Sequence, residues 1–109
     1  MEAQKKVVYC SGCIPLHPTS GEMVGVAPKD IALQTQQVLA NLRAVLKASG
    51  ASVKAIVKTT IFLTDMGDFQ TVNALYASAF EGWQPARSTV AVHALPRGAN
   101  IEIEAIAYI

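Results

Sequence analysis

The last ten residues, NIEIEAIAYI (100–109), constrain the fold more than any other stretch. Side chains on a strand alternate between faces. Ile101, Ile103, Ala105, Ala107 and Ile109 therefore form one wholly apolar face, and Glu102, Glu104, Ile106 and Tyr108 the other. The first face must lie against a packed layer. The second is only half polar, and Ile61 and Leu63 alternate with Phe62 in the same way. A sheet apolar on both faces is usually covered on both.

One covering layer is visible in the change of period. From Pro28 onward, Ile31, Thr35, Val38, Leu42, Val45 and Ser49 step by three and four, with Leu39 and Leu46 widening the stripe. This is an amphipathic helix, with Asp30 at its start and Gly50 at the C′ position. A second helix, FQTVNALYASAF, shows the face Phe69, Val72, Tyr76 and Phe80, with Asp68 as its N-cap and Gly82 after it. Strands are read at KKVVYCSG, at 54–63, at ARSTVAV (86–92) and at 100–109. The order β-α-β-α-β-β gives a single α+β domain over 1–109, both helices on one face of a mixed sheet. With two helices available, the second face is expected to be covered by another subunit. A chain of 109 residues gains from such association.

The totals narrow the function. Formal charge is +1, with no basic block and few aromatics, which argues against nucleic acid as the main partner. No apolar run approaches the ~18 residues of a membrane span. MEAQKK has neither the apolar core of a signal peptide nor the bias of a transit peptide, so a soluble cytoplasmic protein is expected, with a mitochondrial form as the variant. Phosphate-binding glycine loops and the G-x-S-x-G elbow are absent. Cys10 and Cys13 form a C-x-x-C, and His17 extends it to C-x2-C-x3-H, with distant His93 as the one source of a fourth ligand. In an extended strand the two Cα atoms would lie about 10 Å apart, beyond the ~7 Å reach of a disulfide. The pair is read as incidental thiols, with zinc and redox roles as alternatives. His17 and His93 sit beside turns and are read as exposed.

Arg87 and Glu102 remain. In ARSTVAV, Arg87, Thr89 and Ala91 share a face, so a fixed charge heads a small, apolar strand. A guanidinium grips a carboxylate through two hydrogen bonds, and a carboxylate can deprotonate a water. If the last two strands are neighbours, both groups line one pocket. The competing reading is a strand-to-strand salt bridge on a solvated edge. Glu104 is read as a surface or supporting residue.

The segments SGCIPLHPTSGEMVG, QTQQVLANLRAVLKASGAS, VKTTIFLTDMGDFQTVNALYASAF, PARSTV and LPRGANIEIEA together resemble the reactive intermediate deaminase family (Rid or YjgF-like, also called L-PSP endoribonucleases). The resemblance implies a chorismate-mutase-like fold, a homotrimer with a barrel-like centre, and pockets between subunits. It implies hydrolysis of 2-iminopropanoate and 2-iminobutanoate to 2-keto acids and ammonia, without a cofactor or metal. Arg87 matches the arginine that clamps the substrate carboxylate, and Glu102 the glutamate that positions or activates water. Gly12 matches a glycine whose backbone meets the ligand, with Ser11 before it. Asn73 matches an asparagine near the cleft, and Thr89 stands where many members have cysteine. Members usually open with a segment like APYSQAV…GN, a first strand that offers a tyrosine. Here the chain starts almost at the second strand, so that strand is expected to be missing, its sheet edge open, and the pocket short of one wall. Tyr9 lies on the wrong strand to replace the tyrosine, and Cys13 stands for a common glutamine. The family's older description adds a ribonuclease or translation inhibitor as an alternative, and a non-catalytic binder of small carboxylates is another.

Overall fold

The computed structural model describes residues 6–109. The readings that rest on the opening MEAQK, including the missing first strand and Lys5 of the first apolar run, lie outside the described residues.

Strand β1 (Val7–Cys13) leads through a loop to helix α1 (Ile31–Ala48). Asp30 caps α1 as its position suggests: its backbone is extended and Oδ1 accepts from the Leu33 N–H at 3.0 Å. Gly50 follows in the left-handed region (φ +82°), where a side chain would be strained. Val38, Leu39, Leu42 and Leu46 are buried as the stripe predicts, whereas Val45, at its margin, is exposed. The buried stripe turns instead through Gln34 and Thr35. Thr35 Oγ1 donates to the Ile31 carbonyl at 2.7 Å. Gln34 Nε2 donates to Gly25 O (2.8 Å) and Asn100 Oδ1 (2.9 Å), while its Oε1 accepts from Asn100 N at 2.9 Å. Fully paired amides of this kind are buried without penalty, and this one ties α1 to the start of the last strand.

Strand β2 spans Ile56–Leu63; a 3-10 turn, Val53–Ala55, occupies the two positions by which the expected strand overran it. Helix α2 (Phe69–Phe80) is entered through another 3-10 turn, Met66–Asp68. That entry corrects the expected cap. Asp68 already has helical backbone (φ −82°, ψ −5°) and makes no side-chain cap bond; Asp65 accepts from the Gly67 N–H at 2.8 Å instead. The Asp68 carboxylate faces Lys29 Nζ at 2.7 Å.

Strands β3 (Ala86–Ala91) and β4 (Ile101–Tyr108) complete a four-stranded mixed sheet of order β1-β4-β2-β3. The last two strands are not neighbours. The α2 crossover returns β3 parallel to β2, and β4 enters antiparallel on β2's other side, between β2 and β1. Both helices cover one face. Ile101, Ile103, Ala105 and Ala107 are buried there, with Ile56, Thr59, Ile61 and Leu63 of β2. Pairing of β1 with β4 slips between Cys10 and Cys13 (partners Ala105 and Ile103), so the bulge turns both cysteines to the helix face. In a regular strand they would point opposite ways. The bare face carries Glu102, Glu104, Ile106 and Tyr108, flanked by exposed Val7, Tyr9 and Val90.

Candidate active site

Arg87 lies at the register of Thr59, Thr89 at that of Ile61, and Ala91 at that of Leu63. The three share the helix face, as alternation predicts. Arg87 does not point to solvent. Its guanidinium sits over the Tyr76 ring (5.0 Å from the centroid) and the Phe69 ring (5.7 Å), both on α2. Nη1 donates to Asn73 Oδ1 at 2.7 Å. Tyr76 is itself fixed: its hydroxyl shares a 2.8 Å hydrogen bond with Thr59 Oγ1 and its ring stacks on Phe80 at 4.0 Å. Burial pushes the Tyr76 phenol up, partly offset by the Thr59 bond and the Arg87 charge, so it stays protonated. The bond to Asn73 is the guanidinium's one hydrogen bond among the described residues, which leaves most of its five donors open. Thr89 Oγ1 is buried and also finds no partner among the described residues. This wall is apolar, with polar groups, Thr89 Oγ1 and most of the guanidinium N–H groups, that no other described residue satisfies.

Glu102 stands on the other face, at the register of Phe62. The β1 bulge brings Gly12 against it: a Cβ built on Gly12 would lie 2.5 Å from Glu102 Oε1, so only glycine admits the carboxylate here. Burial, with a smaller contribution from Glu104, pushes the Glu102 carboxyl above its ordinary 4.5. Ser11 is exposed on the same side and lines a shallow hollow with Tyr9, Lys58, Thr60 and Glu104. A carboxyl raised in this way is better matched to proton transfer near neutrality than an ordinary glutamate.

The candidate residues thus fall into two groups. Arg87, Asn73 and Thr89 gather on the covered side near the β3 edge, and Ser11, Gly12 and Glu102 on the bare side near β1. Within one chain the groups do not meet, since β2 separates β3 from β4 and the side chains point to opposite faces. That removes both the single-chain pocket and the strand-to-strand salt bridge. The zinc set does not assemble either. Among the described residues no group of three or more His, Cys, Asp and Glu could hold a metal. His17 Nδ1 instead accepts from the Thr19 and Ser20 N–H groups at 3.2 Å, closing a turn. Cys10 and Cys13 are free thiols; burial pushes both up, and the Cys10 and Glu102 charges add to the effect at Cys13.

The family model described as Endoribonuclease L-PSP matches residues 2–109. The chain belongs to that family. It is 51% identical over 102 residues to the protein DfrA of Myxococcus xanthus, covering 94% of this chain and 76% of the relative. It is 46% identical to the 2-iminobutanoate/2-iminopropanoate deaminase of Mus musculus, covering 94% and 73%. Among solved structures, YyfA of the Rid family from Yersinia pestis superposes with a TM-score of 0.90 at 49% identity, covering 94% of this chain and 80% of that one. Escherichia coli TdcF with bound serine gives 0.84 at 41%, covering 93% and 79%. The two helices on a mixed four-stranded sheet are the fold of these L-PSP and Rid proteins.

The family motifs do not single out everything around Arg87. Tyr76 and Phe69 read as core residues of an amphipathic helix, and they are also the platform for the guanidinium. Trp83 had no periodicity to expose it. It ends up beside Arg87, its indole N–H donating to the Ile56 carbonyl at 2.9 Å. A lone tryptophan two residues before the P-A-R of a strand was the available signal. No helix among the described residues is long and apolar enough to cross a membrane.

Proposed function

We propose that the chain is a hydrolytic deaminase of reactive 2-imino acids, 2-iminopropanoate and 2-iminobutanoate among them, working at sites shared between copies in a homotrimer. The observation that carries the reading is the opposition of Arg87 and Glu102 across one sheet. Each is prepared for chemistry and incomplete alone. A second copy laid on the bare face would bring its Glu102 toward this chain's Arg87 edge and would cover Tyr9, Ile106 and Tyr108, as a half-apolar face requires. Relatives named as deaminases at 46% identity support the activity, and serine in the related TdcF supports a fold that takes small carboxylates.

In this reading Arg87, held by Asn73 and the two rings, grips the substrate carboxylate through its open donors. Ser11 and the Gly12 backbone of the neighbouring copy border the ligand, and Thr89 Oγ1 faces it from the Arg87 side. Glu102 of the neighbouring copy orients a water. As the water oxygen bonds to C2, the glutamate takes its proton and the C=N bond becomes single. The same carboxyl passes that proton to nitrogen, then takes the second proton from the new C2 hydroxyl and delivers it to nitrogen too, so that C2=O forms, the C2–N bond breaks and ammonia leaves. Imine and water thus become keto acid and ammonia, with no redox change. An imine carbon is already electrophilic, so orientation and one proton carrier suffice. The formal charge of +1 supports leaving nucleic acid out of the reading, and the cytoplasm is the proposed compartment.

Mixing inactive variants tests the shared site. Arg87→Ala and Glu102→Gln are each expected to fail on freshly generated 2-iminobutanoate. Co-refolded in equal amounts, they restore an intact pair at about one interface in four of a cyclic trimer. Ammonia release near a quarter of the wild-type rate supports the reading. No recovery from mixed trimers would sink the shared site.

A further inference from the structure

Cys10 and Cys13 take no part in the chemistry described above, yet the β1 bulge brings them toward each other. Cys10 pairs with Ala105 and Cys13 with Ile103, so three steps of β1 run beside two steps of β4. At ~3.4 Å per step, the two cysteine Cα atoms lie about 6.8 Å apart, against ~10 Å in a regular strand. That is the upper end of the ~4.4–6.8 Å found across disulfides. Both side chains also lie on the helix face. Cys10 is buried in the core, and Cys13 is half-buried against it. The Cys13 thiol folds back over the bulge, its Sγ donating to the Ser11 carbonyl at 3.7 Å. It therefore leans along β1 toward Cys10, within reach of that residue's charge.

From this geometry we infer that Cys10 and Cys13 are an oxidation site, joined into a disulfide by peroxides, and that the bond disables Glu102 on the opposite face. The effect on activity rests on the deaminase reading and adds a control to the same site. Cys13 is the more accessible thiol. It loses its proton and its sulfur attacks a peroxide oxygen; the O–O bond breaks, one water leaves and a sulfenic acid remains. The Cys10 sulfur then displaces the sulfenic hydroxyl, which leaves with the Cys10 proton as a second water. Two thiols and hydrogen peroxide become one disulfide and two waters. Burial pushes both thiols up, so little thiolate stands ready at neutral pH and the pair answers to sustained oxidant rather than to traces. Closure to the preferred Cα separation of ~5.5–6 Å shortens the stretch by about 1 Å. Neither end gives way easily. The ladder with β4 holds Cys10, and beyond Cys13 the Asn41 Nδ2 of α1 donates to the Ile14 and Leu16 carbonyls at 3.2 and 2.8 Å. Ser11 and Gly12 absorb the change by bowing toward the bare face. There Gly12 already abuts Glu102. The carboxylate is displaced, and a shift of about 1 Å in a catalytic group costs on the order of 100-fold in rate.

The full chain is treated with hydrogen peroxide beside Cys13→Ala and Cys10→Ala, two variants because the buried Cys10 carries the greater risk of misfolding. In the treated wild type, the peptide holding both cysteines is expected to lose two hydrogens by mass, with no link between chains. Turnover of 2-iminobutanoate is expected to fall roughly tenfold to a hundredfold, and dithiothreitol to restore both. Treated Cys13→Ala is expected to keep its untreated rate. Absence of the disulfide overturns the inference. So does a disulfide without loss of turnover, and so does a loss that Cys13→Ala shares or that dithiothreitol leaves in place. These outcomes leave the deaminase reading standing, since untreated wild type decides that by itself. If untreated wild type turns over no imine, the deaminase reading fails, and the carboxyl-carbon NMR signal of Glu102 decides the inference. A shift on oxidation that dithiothreitol reverses and Cys13→Ala lacks then supports it, and an unmoved signal overturns it.

Discussion

Under the helices, Arg87 has its position set by Asn73, Tyr76 and Phe69, all on α2. On the bare face, Glu102 has only the absence of a side chain at Gly12 to thank for its place. The two sides of one sheet thus hold their charges by different means. The cation is built into a packed layer and draws rigidity from the core. The carboxylate stands where the core ends, partly desolvated by its own strand neighbours, with its remaining surroundings left to whatever covers the face. Positioning on the covered side is tied to stability, and on the bare side it is nearly independent of it.

The largest expected effect uses that independence. Glu102→Gln is expected to lower kcat by roughly 10²–10⁴-fold, the span of a lost general base, without unfolding the chain. The sign of its effect on stability follows from the raised pKa. A carboxyl whose folded value lies above its unfolded value contributes stability fully below the unfolded value and loses it as pH rises through the folded one. Glutamine does not titrate, so the variant is expected to gain on the wild type in denaturant midpoint between about pH 4 and neutrality. The acid limb of wild-type kcat/KM is expected above 4.5, the ordinary glutamate value. A limb below that value would mean that a neighbouring cation dominates over burial.

Stability sharpens the contrast next. Leu42 is fully buried on α1, and Leu42→Ala is expected to cost about 2–5 kcal/mol. Ile106 is half-buried on the bare face. Ile106→Ser is expected to leave the fold of the single chain nearly unchanged and to weaken assembly, so that its Tm falls on dilution while the Leu42→Ala shift persists at every concentration. Concentration-independent melting of Ile106→Ser, equal to the wild type's, would show that the bare face is not an interface.

These differences mark what could be read from the residues alone. Alternation assigned Arg87, Thr89 and Ala91 to one face and Glu102 to the polar side of β4, and both assignments hold. Period and capping located the two helices to within a residue or two. Strand adjacency was not legible. Nothing in NIEIEAIAYI states that it enters beside β2 rather than β3, since both neighbours would accept its apolar face. The expected pocket within one chain failed for that reason. Asp68 was misread because Asp65 and Asp68 both precede the helix, and only the backbone reveals that a 3-10 turn lies between them. The cysteine faces were hidden by the bulge, which reverses alternation at Ser11–Gly12 without an insertion signal.

Gly12→Ala is the smallest change, and it separates the two faces most directly. The atoms a new Cβ would meet are Oε1 at 2.5 Å, the carboxyl carbon at 2.6 Å and Cγ at 2.9 Å, all on Glu102. They form the far end of a flexible side chain, so the clash is relieved by rotation rather than by moving a strand. Gly12 is also absent from the positive-φ glycines, so the added methyl brings no strain of that kind. Stability is therefore expected to change by about 0.5 kcal/mol or less, the ordinary range for a surface substitution. The carboxylate, however, cannot stay where it is, and a displacement of about 1 Å in a positioned catalytic group costs on the order of 100-fold. A variant that melts with the wild type, binds 2-oxobutanoate normally through Arg87 and hydrolyses imine some tenfold to a hundredfold more slowly would assign the loss to Glu102. Equal losses of ketoacid binding and turnover would instead tie Gly12 to the Arg87 wall, and the division between the two faces would have to be redrawn.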